Sequence, residues 1–185
     1  KCSKFADADA KLNILIVDDE IEYSELVKRM IKSLDASSQT IECITTTMAS
    51  EALKTIGTHN IDLTICDLDL RGQQLNGFDV SRRMREMGYR GDICLHSHLN
   101  NTQYYRKAIQ AGAGMFLPKP LSVPHASKLI EQAFIQAELR YNQNNANKKS
   151  KTKNTTNNQG GEAMELASKR SDNSKERQTI ILVED

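Results

Sequence analysis

The sequence lacks an excess of charge of one sign, a metal-binding cysteine pattern and a hydrophobic run long enough to cross a bilayer. Lys and Arg total 25 against 24 Asp and Glu, so the net charge of +1 creates no general attraction for nucleic acid or membranes. The cysteines Cys2, Cys43, Cys66 and Cys94 show no CxxC spacing, and three lie in apolar runs that favour buried, reduced thiols. We therefore expect a cytoplasmic protein with no membrane span and no specific nucleic-acid partner.

Between residues 12 and 141 the sequence alternates five short apolar runs with five segments that carry apolar residues at helical spacing. Runs of this length, bounded by polar residues, are typical of strands that are buried on both faces of a parallel sheet. The alternation predicts the α/β class, with a doubly wound, five-stranded parallel sheet in the order 2-1-3-4-5. The predicted strands are 12–17, 41–46, 61–66, 92–95 and 113–117.

The third predicted helix has a pattern that separates buried from exposed side chains. Val80, Met84 and Met87 share one face and should point into the core. The charged residues of this helix should face largely outward. They are Arg82, Arg83, Arg85 and Glu86.

Composition divides the chain into four parts. Residues 1–11 are polar and aperiodic, which indicates a loose leader, and residues 12–141 form the predicted domain, with a last helix from about Ser122 to its end. Residues 142–178 hold eight Lys or Arg, four Asp or Glu and few apolar residues, so we expect a flexible, basic, polar linker. Residues 179–185 repeat an apolar strand that ends on two acids. We interpret them as the first strand of a second, similar domain in a longer protein.

Acidic residues follow two strands that the predicted order makes neighbours. Asp18 and Asp19 come after the first strand, and Asp67 comes after the third. The carboxyl ends of such strands meet at the edge of the sheet where ligands bind, so we expect the three side chains to converge. Converging carboxylates repel one another unless a cation lies among them, and hard oxygen ligands in an incomplete cage indicate Mg²⁺.

Ser97 and Lys119 add chemistry to the same edge. Ser97 lies at the end of the fourth strand and offers a hydroxyl, whereas Lys119 follows the fifth strand and offers an ammonium group. With a metal ion they describe a site for a phosphoryl group attached to Asp67, because metal and ammonium neutralise the developing charge. Pro120 follows Lys119 directly and is a candidate for a cis peptide bond.

These motifs, in this order, resemble the response-regulator receiver domain of two-component (phosphorelay) signalling, a family with a flavodoxin-like fold. The resemblance covers residues 12–141. The matched features are Ile-Val-Asp-Asp-Glu at 16–20, Asp-Leu-Thr-Ile-Cys-Asp at 62–67, Asn-Gly-Phe-Asp at 76–79, Ser97, and Gly-Ala-Gly-Met-Phe-Leu-Pro-Lys-Pro at 112–120.

The resemblance implies a role for each residue of the acidic site. Asp67 is implied as the phosphoacceptor, and Lys119 as the partner of the phosphoryl oxygens. Asp19 is implied as a direct Mg²⁺ ligand and Asp18 as a ligand that acts largely through water. The backbone carbonyl of Asp69 is implied as the last protein ligand.

The resemblance also implies a switch and its partners. Ser97 corresponds to the switch hydroxyl and Phe116 to the switch aromatic of a surface formed by strand 4, helix 4 and strand 5. The phosphoryl group would come from a sensor histidine kinase or a histidine phosphotransfer protein, and a homodimer through helix 4, strand 5 and helix 5 is compatible with the family. Such a domain is a signalling switch with at most weak autophosphorylation and autodephosphorylation activity, not a metabolic enzyme.

The chain departs from the family pattern near Asp67. Arg71 stands where a proline is usual, and Gly77 comes about two residues late. Asp69 adds an acid beside the site, and His98 replaces a residue that is usually small. We hypothesise that His98 and Asp69 crowd the path of the hydrolytic water and prolong the phosphorylated state. The alternative, that both side chains merely face solvent, is equally open.

Two other functions remain as alternatives. The sequence Asp67-Leu68-Asp69 suggests a haloacid-dehalogenase-type phosphatase, but in that family the nucleophilic motif ends the first strand and the paired acids come last. A pseudo-receiver that only binds partners is the second alternative, although all the site residues are present. None of these motifs identifies the cognate kinase or the output of the protein.

Overall fold

The structure, a computed structural model, describes residues 11–34, 41–99 and 102–155. The strands are β1 (Leu12–Val17), β2 (Ile41–Thr46), β3 (Leu63–Asp67), β4 (Asp92–Ser97) and β5 (Met115–Pro118). The helices are α1 (Ile21–Leu34), α2 (Ala49–Thr58), α3 (Gly77–Glu86), α4 (Thr102–Gln110) and α5 (Val123–Thr155). Residues 1–10 of the predicted leader, the distal part of the predicted linker and the predicted second domain lie outside the described residues.

The five strands form one parallel sheet in the order β2-β1-β3-β4-β5. This confirms the predicted class and strand order. Each strand passes through a helix to the next, so the carboxyl ends of all five strands lie at the same edge. The functional residues predicted at strand ends are thereby gathered on one side of the molecule.

Apolar side chains cover both faces of the sheet, because successive residues of a strand point to opposite sides. On one face, residues such as Ile14 pack with Val27 of α1 and Leu129 of α5. On the other face, residues such as Leu15 pack with Met84 of α3 and with buried residues of α2 and α4. Burial on both faces explains why the strands read as continuous apolar runs rather than alternating ones.

The strand boundaries differ from prediction by one to two residues at several ends. β3 begins at Leu63 rather than residue 61, because the carboxylate of Asp62 accepts the backbone N–H of Asn13 at 3.0 Å at the entrance to the strand. β5 begins at Met115 because Ala113 still belongs to the turn after α4, donating its N–H to Ala108. Such local bonds at strand entrances depend on tertiary neighbours.

Two side chains of α3 differ from prediction. Met87, expected in the core, is 52% exposed because α3 ends at Glu86 and the chain turns away. Arg85, expected to face outward, is half-buried, and its guanidinium donates hydrogen bonds to the carbonyl oxygens of Tyr89, Gly91 and Gly112. The carbonyl groups that Arg85 binds lie in turns, and the spacing of residues along α3 does not predict these contacts.

The last helix is longer than predicted. α5 continues past Tyr141 to Thr155, through residues that composition assigned to the linker. This stretch holds four Lys, one Gln and one Ala, which are good helix formers, beside five Asn, two Thr and one Ser, which are poorer ones, so polar composition alone does not fix the end of the helix. Within the described ranges, no helix is both long and apolar enough to cross a membrane.

Candidate functional site

Three carboxylates converge at the carboxyl edge of the sheet. Asp18 and Asp19 follow β1, and Asp67 ends β3. The pairing of Val17 with Cys66 places the next residue of each strand side by side. One ligand oxygen from each of the three carboxylates lies within 4.8 Å of the others. The convergence expected from the strand ends is therefore found in the structure.

Lys119 reaches this cluster from the outer strand of the sheet. It follows β5 directly, and its Nζ donates to Asp18 Oδ2 at 2.7 Å and lies 2.8 Å from Asp67 Oδ2. Only 4% of the Lys119 side chain is exposed, and both carboxylates are buried. The expected cis peptide bond between Lys119 and Pro120 is present. A single buried ammonium group thus bridges two buried carboxylates.

The pKa values at this bridge reflect burial and the hydrogen bonds of Lys119, which act in opposite directions. Burial raises the pKa of Asp67, and the hydrogen bond from Lys119 offsets this only in part. Burial alone would lower the pKa of Lys119, but the hydrogen bonds to Asp18 and Asp67 raise it overall. Two carboxylates compensate the positive charge of Lys119, whereas Asp18 and Asp67 share one ammonium group between them. An additional cation would therefore stabilise the site.

Asp19 provides the observation that fits such a cation. Its Oδ2 accepts a hydrogen bond from Nε of Arg71 at 3.0 Å. Its Oδ1 is buried and has no hydrogen-bond partner among the described residues. Buried carboxylate oxygens are normally satisfied, so this atom is suited to a ligand. With Asp18 and Asp67 it forms a set of hard oxygen donors, and the residues present fit Mg²⁺.

Ser97 and Phe116 lie in the two strands beyond β3. Ser97 is the last residue of β4 and is buried, with its Oγ accepting the backbone N–H of Leu99 at 3.0 Å. Phe116 in β5 is also buried and packs edge-on against Tyr105 of α4, with ring centroids 4.9 Å apart. A change at Ser97 can therefore reach the loop before α4, and a change at Phe116 can reach α4 itself.

Asp69 and His98 both have exposed side chains and stand outside the carboxylate cluster. The backbone N–H of Asp69 hydrogen-bonds to the Asp67 carboxylate. Exposure is compatible with both hypotheses for these two side chains. Their effect on the lifetime of a phosphorylated state therefore stays a prediction.

Sequence reasoning misses Tyr23 and His96, which contact the segment that carries Lys119. Lys119 Nζ lies 4.7 Å from the centroid of the Tyr23 ring, and the Tyr23 hydroxyl accepts the backbone N–H of Leu121 at 2.9 Å. His96 Nε2 donates to the carbonyl oxygen of Pro118 at 2.9 Å. Tyr23 has the spacing of an ordinary core residue of α1, so only its tertiary contact marks it.

Burial also sets the ionisation of His96. The ring is buried beneath Lys119, and desolvation, followed by the Lys119 charge, lowers its pKa to about 4. His96 is therefore neutral at pH 7, which is consistent with one ring nitrogen donating to Pro118. A neutral imidazole adds no positive charge to the site.

A comparison with protein families places these features in one group of proteins. The family model described as the response regulator receiver domain matches residues 14–131 of this chain. The matched range contains all three carboxylates, Ser97 and Lys119.

Two curated relatives illustrate the similarity. Transcriptional regulatory protein MalR of Bacillus subtilis is 29% identical over 109 residues, which cover 59% of this chain and 44% of MalR. Two-component response regulator 24 of Arabidopsis thaliana is 27% identical over 124 residues, which cover 66% of this chain and 82% of that protein. This chain therefore spans less than half the length of MalR but most of the plant regulator.

Solved structures show the same fold. The receiver domain of NtrX from Brucella abortus has a TM-score of 0.58 and 26% identity, covering 65% of this chain and 97% of that one. A CheY-like response regulator receiver domain protein from Methanospirillum hungatei has a TM-score of 0.62 and 18% identity, covering 71% and 99%. At these identities the likeness concerns above all the arrangement of strands and helices.

Proposed function

Since this chain belongs to the family of response regulator receiver domains, we propose that it is a phosphoacceptor switch of two-component signalling. Asp67 accepts a phosphoryl group from a phosphohistidine of a sensor histidine kinase or a histidine phosphotransfer protein, with Mg²⁺ as cofactor. The observation that carries this proposal is the convergence of three carboxylates within 4.8 Å, with the Lys119 ammonium 2.8 Å from Asp67.

Asp67 acts as the nucleophile in the transfer. A carboxylate oxygen forms a new bond to phosphorus while the bond between phosphorus and the histidine nitrogen breaks, and that electron pair leaves with the imidazole. The carboxylate must be ionised to attack, although its burial raises its pKa. Lys119 opposes this effect by its hydrogen bond and is placed to pair with the phosphoryl oxygens after transfer.

Bound Mg²⁺ supplies the positive charge that neutralises the phosphoryl oxygens. Asp19 would hold it through Oδ1, which has no partner among the described residues, and Asp18 would act largely through water. Asp67 and the backbone carbonyl of Asp69 would complete the protein ligands. The sharing of one ammonium group by two buried carboxylates supports this assignment, because a divalent ion would offset the remaining negative charge.

Ser97 and Phe116 transmit the change. The Ser97 hydroxyl accepts the N–H of Leu99 and can donate its own hydrogen to a phosphoryl oxygen. Movement of Ser97 toward that oxygen would pull on Leu99 and on the loop leading to α4. Phe116, which packs against Tyr105, follows the same movement. The surface formed by β4, α4 and β5 thereby becomes the output of the switch.

The chain works as a switch in the cytoplasm and not as a metabolic enzyme. Besides transfer from the phosphohistidine, it has at most weak activity in taking a phosphoryl group from small donors and in losing that group to water. The described cysteines Cys43, Cys66 and Cys94 are free thiols, which supports a reducing compartment.

A beryllofluoride titration tests the proposal. Beryllofluoride mimics a phosphoryl group on a carboxylate, and we expect it to shift the amide resonances of Ser97 and Lys119 only when Mg²⁺ is present. An Asp67→Asn variant should show no such shifts. Absence of a Mg²⁺-dependent adduct in the parent chain would favour a pseudo-receiver. Multiple turnover of p-nitrophenyl phosphate would favour a phosphatase.

A further inference from the structure

Asp19 stands apart from the other two carboxylates in the way its charge is compensated. Asp18 and Asp67 share the buried ammonium group of Lys119. Asp19 instead pairs with Arg71, whose Nε lies 3.0 Å from Oδ2. Its second oxygen, Oδ1, is buried without a partner among the described residues. The two oxygens of one carboxylate therefore have different surroundings, one tied to a guanidinium and one open.

Arg71 lies in the loop between β3 and α3, and residues on either side of it anchor this loop to the rest of the protein. Leu70, just before it, is buried at 3% exposure. Gln73, two residues after it, accepts the backbone N–H of Ala49 and donates to the carbonyl oxygen of Thr47, both at 2.7 Å. These bonds attach the loop between β3 and α3 to the start of α2. The loop that carries Arg71 is therefore fixed in position.

The guanidinium binds two consecutive acids. Nε donates to Asp19, and an Nη nitrogen donates to Glu20. The nitrogens of a guanidinium lie in one plane with fixed directions, so binding two carboxylates restricts the orientation of both. With Oδ2 of Asp19 held in this way, rotation of the carboxylate is blocked and Oδ1 stays directed away from Arg71, at its buried position.

Arg71 can affect a nearby metal ion in two opposite ways. Its charge repels a cation, whereas its hydrogen bond orients a carboxylate that would bind one. The Arg71 side chain is 60% exposed, so water and salt screen its charge. The hydrogen bond acts over a short distance and is not weakened in the same manner. The orienting effect should therefore dominate.

The geometry points to Arg71 as a positioning residue for the metal ion, one that binds Oδ2 of Asp19 and so keeps Oδ1 available as a ligand. This inference rests on the proposed Mg²⁺ site. It assigns a function to a side chain outside the carboxylate cluster, and it predicts that removing a positive charge weakens the binding of a cation.

Calorimetric titration of the full 185-residue chain with MgCl₂ alone tests the inference. In an Arg71→Gln variant, which has a shorter, neutral side chain and cannot bind two acids in the same way, we expect the Kd for Mg²⁺ to rise about three- to tenfold. An Arg71→Lys variant keeps the charge but loses the planar fork. We expect it to bind Mg²⁺ more weakly than the parent as well.

A Lys11→Gln variant serves as the control for net charge. Lys11 pairs with Glu42 at 2.9 Å before β1, at the opposite edge of the sheet, and this variant should bind Mg²⁺ as the parent does. Equal or tighter binding by Arg71→Gln, in a chain whose circular dichroism matches the parent, would overturn the positioning role. Failure of the parent itself to bind Mg²⁺ would overturn the proposed function and this inference together.

Discussion

The carboxylate of Asp67 is buried next to Asp18 and shares one ammonium group with it. Its pKa is raised because burial disfavours the charged form more than Lys119 favours it. A carboxyl group with a raised pKa destabilises the fold at pH values above the ordinary pKa of an aspartate. This cost declines as the pH falls through the pKa of the folded state and disappears below the ordinary value, where the group is protonated in both the folded and the unfolded chain.

We therefore expect Asp67→Asn to stabilise the protein when no divalent ion is present. The free energy of unfolding at pH 7 should rise by about 1 kcal/mol, because a neutral amide removes a buried charge and its repulsion with Asp18. The difference should shrink as the pH falls through the pKa of Asp67 in the folded protein toward the ordinary pKa of an aspartate. Urea unfolding in EDTA at several pH values measures it.

The surface variant Glu42→Gln provides the comparison for Asp67→Asn. Glu42 is exposed and pairs only with Lys11 in the described structure, so little change is expected. With saturating Mg²⁺ the order of parent and Asp67→Asn should reverse, because the ion stabilises the chain that binds it more tightly. A less stable Asp67→Asn chain in EDTA would contradict the picture of an undercompensated carboxylate.

His96 gives a second pH dependence of opposite sign. Its pKa of about 4 in the folded protein lies below the ordinary value of 6.5. The unfolded chain therefore binds a proton more readily between these values, so stability is full above pH 6.5 and falls as the pH drops toward 4. We expect a loss on the order of 3 kcal/mol across this range, at about 1.4 kcal/mol for each pKa unit.

A His96→Leu variant should show a flatter profile of unfolding free energy between pH 7 and pH 4. The exposed His59 supplies the matched control, because His59→Gln removes an imidazole from the surface of the protein. An unchanged slope in His96→Leu would show that another group titrates there.

The site residues that sequence predicts are those fixed by strand ends. Asp18, Asp19, Asp67 and Lys119 each follow or end a strand, and a parallel sheet brings strand ends together whatever the details of packing. The sequence distinguishes Arg71 only as a departure from the family pattern. Its partners lie 51 and 52 residues away in the chain, and only the folded loops show that it binds them.

Among the elements, the start of α3 packs closely against the end of β3, where Asp67 lies. Gly77, the first residue of α3, donates its N–H to the carbonyl oxygen of Leu68 at 2.9 Å. A Cβ atom on Gly77 would lie 2.3 Å from the carbonyl oxygen of Asp67 and 2.8 Å from Cα of Leu68. The helix can approach the end of β3 this closely only because residue 77 has no side chain.

A Gly77→Ala variant should therefore displace the backbone of Asp67 or the first turn of α3. We expect a loss of roughly 1–3 kcal/mol of unfolding free energy, as in other overpacked sites, together with weaker Mg²⁺ binding. Gly114→Ala is the control, because a Cβ at Gly114 meets no atom within 4 Å. Equal effects of the two substitutions would argue against the close approach.

The periodicity of apolar residues predicts the elements but not all of their boundaries. The existence and order of all ten elements follow from the pattern of apolar residues, because that pattern reports burial. The extension of α5 to Thr155 does not, because its residues beyond Tyr141 are polar. Before that extension, Arg140 of α5 donates to the carbonyl oxygens of Arg90 and Asp62, at 3.4 and 3.2 Å. The helical spacing of apolar residues does not predict these hydrogen bonds either.

On the molecule as a whole, exposed apolar side chains surround the site. Four large ones lie in segments that follow strands β1, β2, β4 and β5: Ile21, Met48, Leu99 and Val123 are 46–63% exposed. All are therefore near the carboxyl edge of the sheet, where Asp67 ends β3. We interpret this ring as the docking surface for the protein that carries the phosphohistidine.

Replacing Ile21 and Val123 by serine should slow phosphotransfer from a phosphorylated histidine phosphotransfer protein by about tenfold, given the usual cost of truncating interface residues. Phosphorylation by acetyl phosphate should be unchanged, because the small donor needs no docking surface. Rates of both reactions, measured side by side on the double variant, separate docking from chemistry.

Ile135→Ser is the control for this surface. Ile135 is 45% exposed on α5, about 18 Å along the helix from Val123 at 1.5 Å per residue. It should affect neither donor. Equal slowing with acetyl phosphate in the Ile21 and Val123 variant would show damage to the site itself.

The central claim is that Asp67 takes up a phosphoryl group. Intact-mass analysis after incubation with acetyl phosphate and Mg²⁺ tests it most directly. The parent chain should gain the mass of one phosphoryl group, and the gain should be lost at alkaline pH or with EDTA present from the start. Asp67→Asn should gain nothing. Labelling of the Asp67→Asn chain to the same extent as the parent would contradict the account.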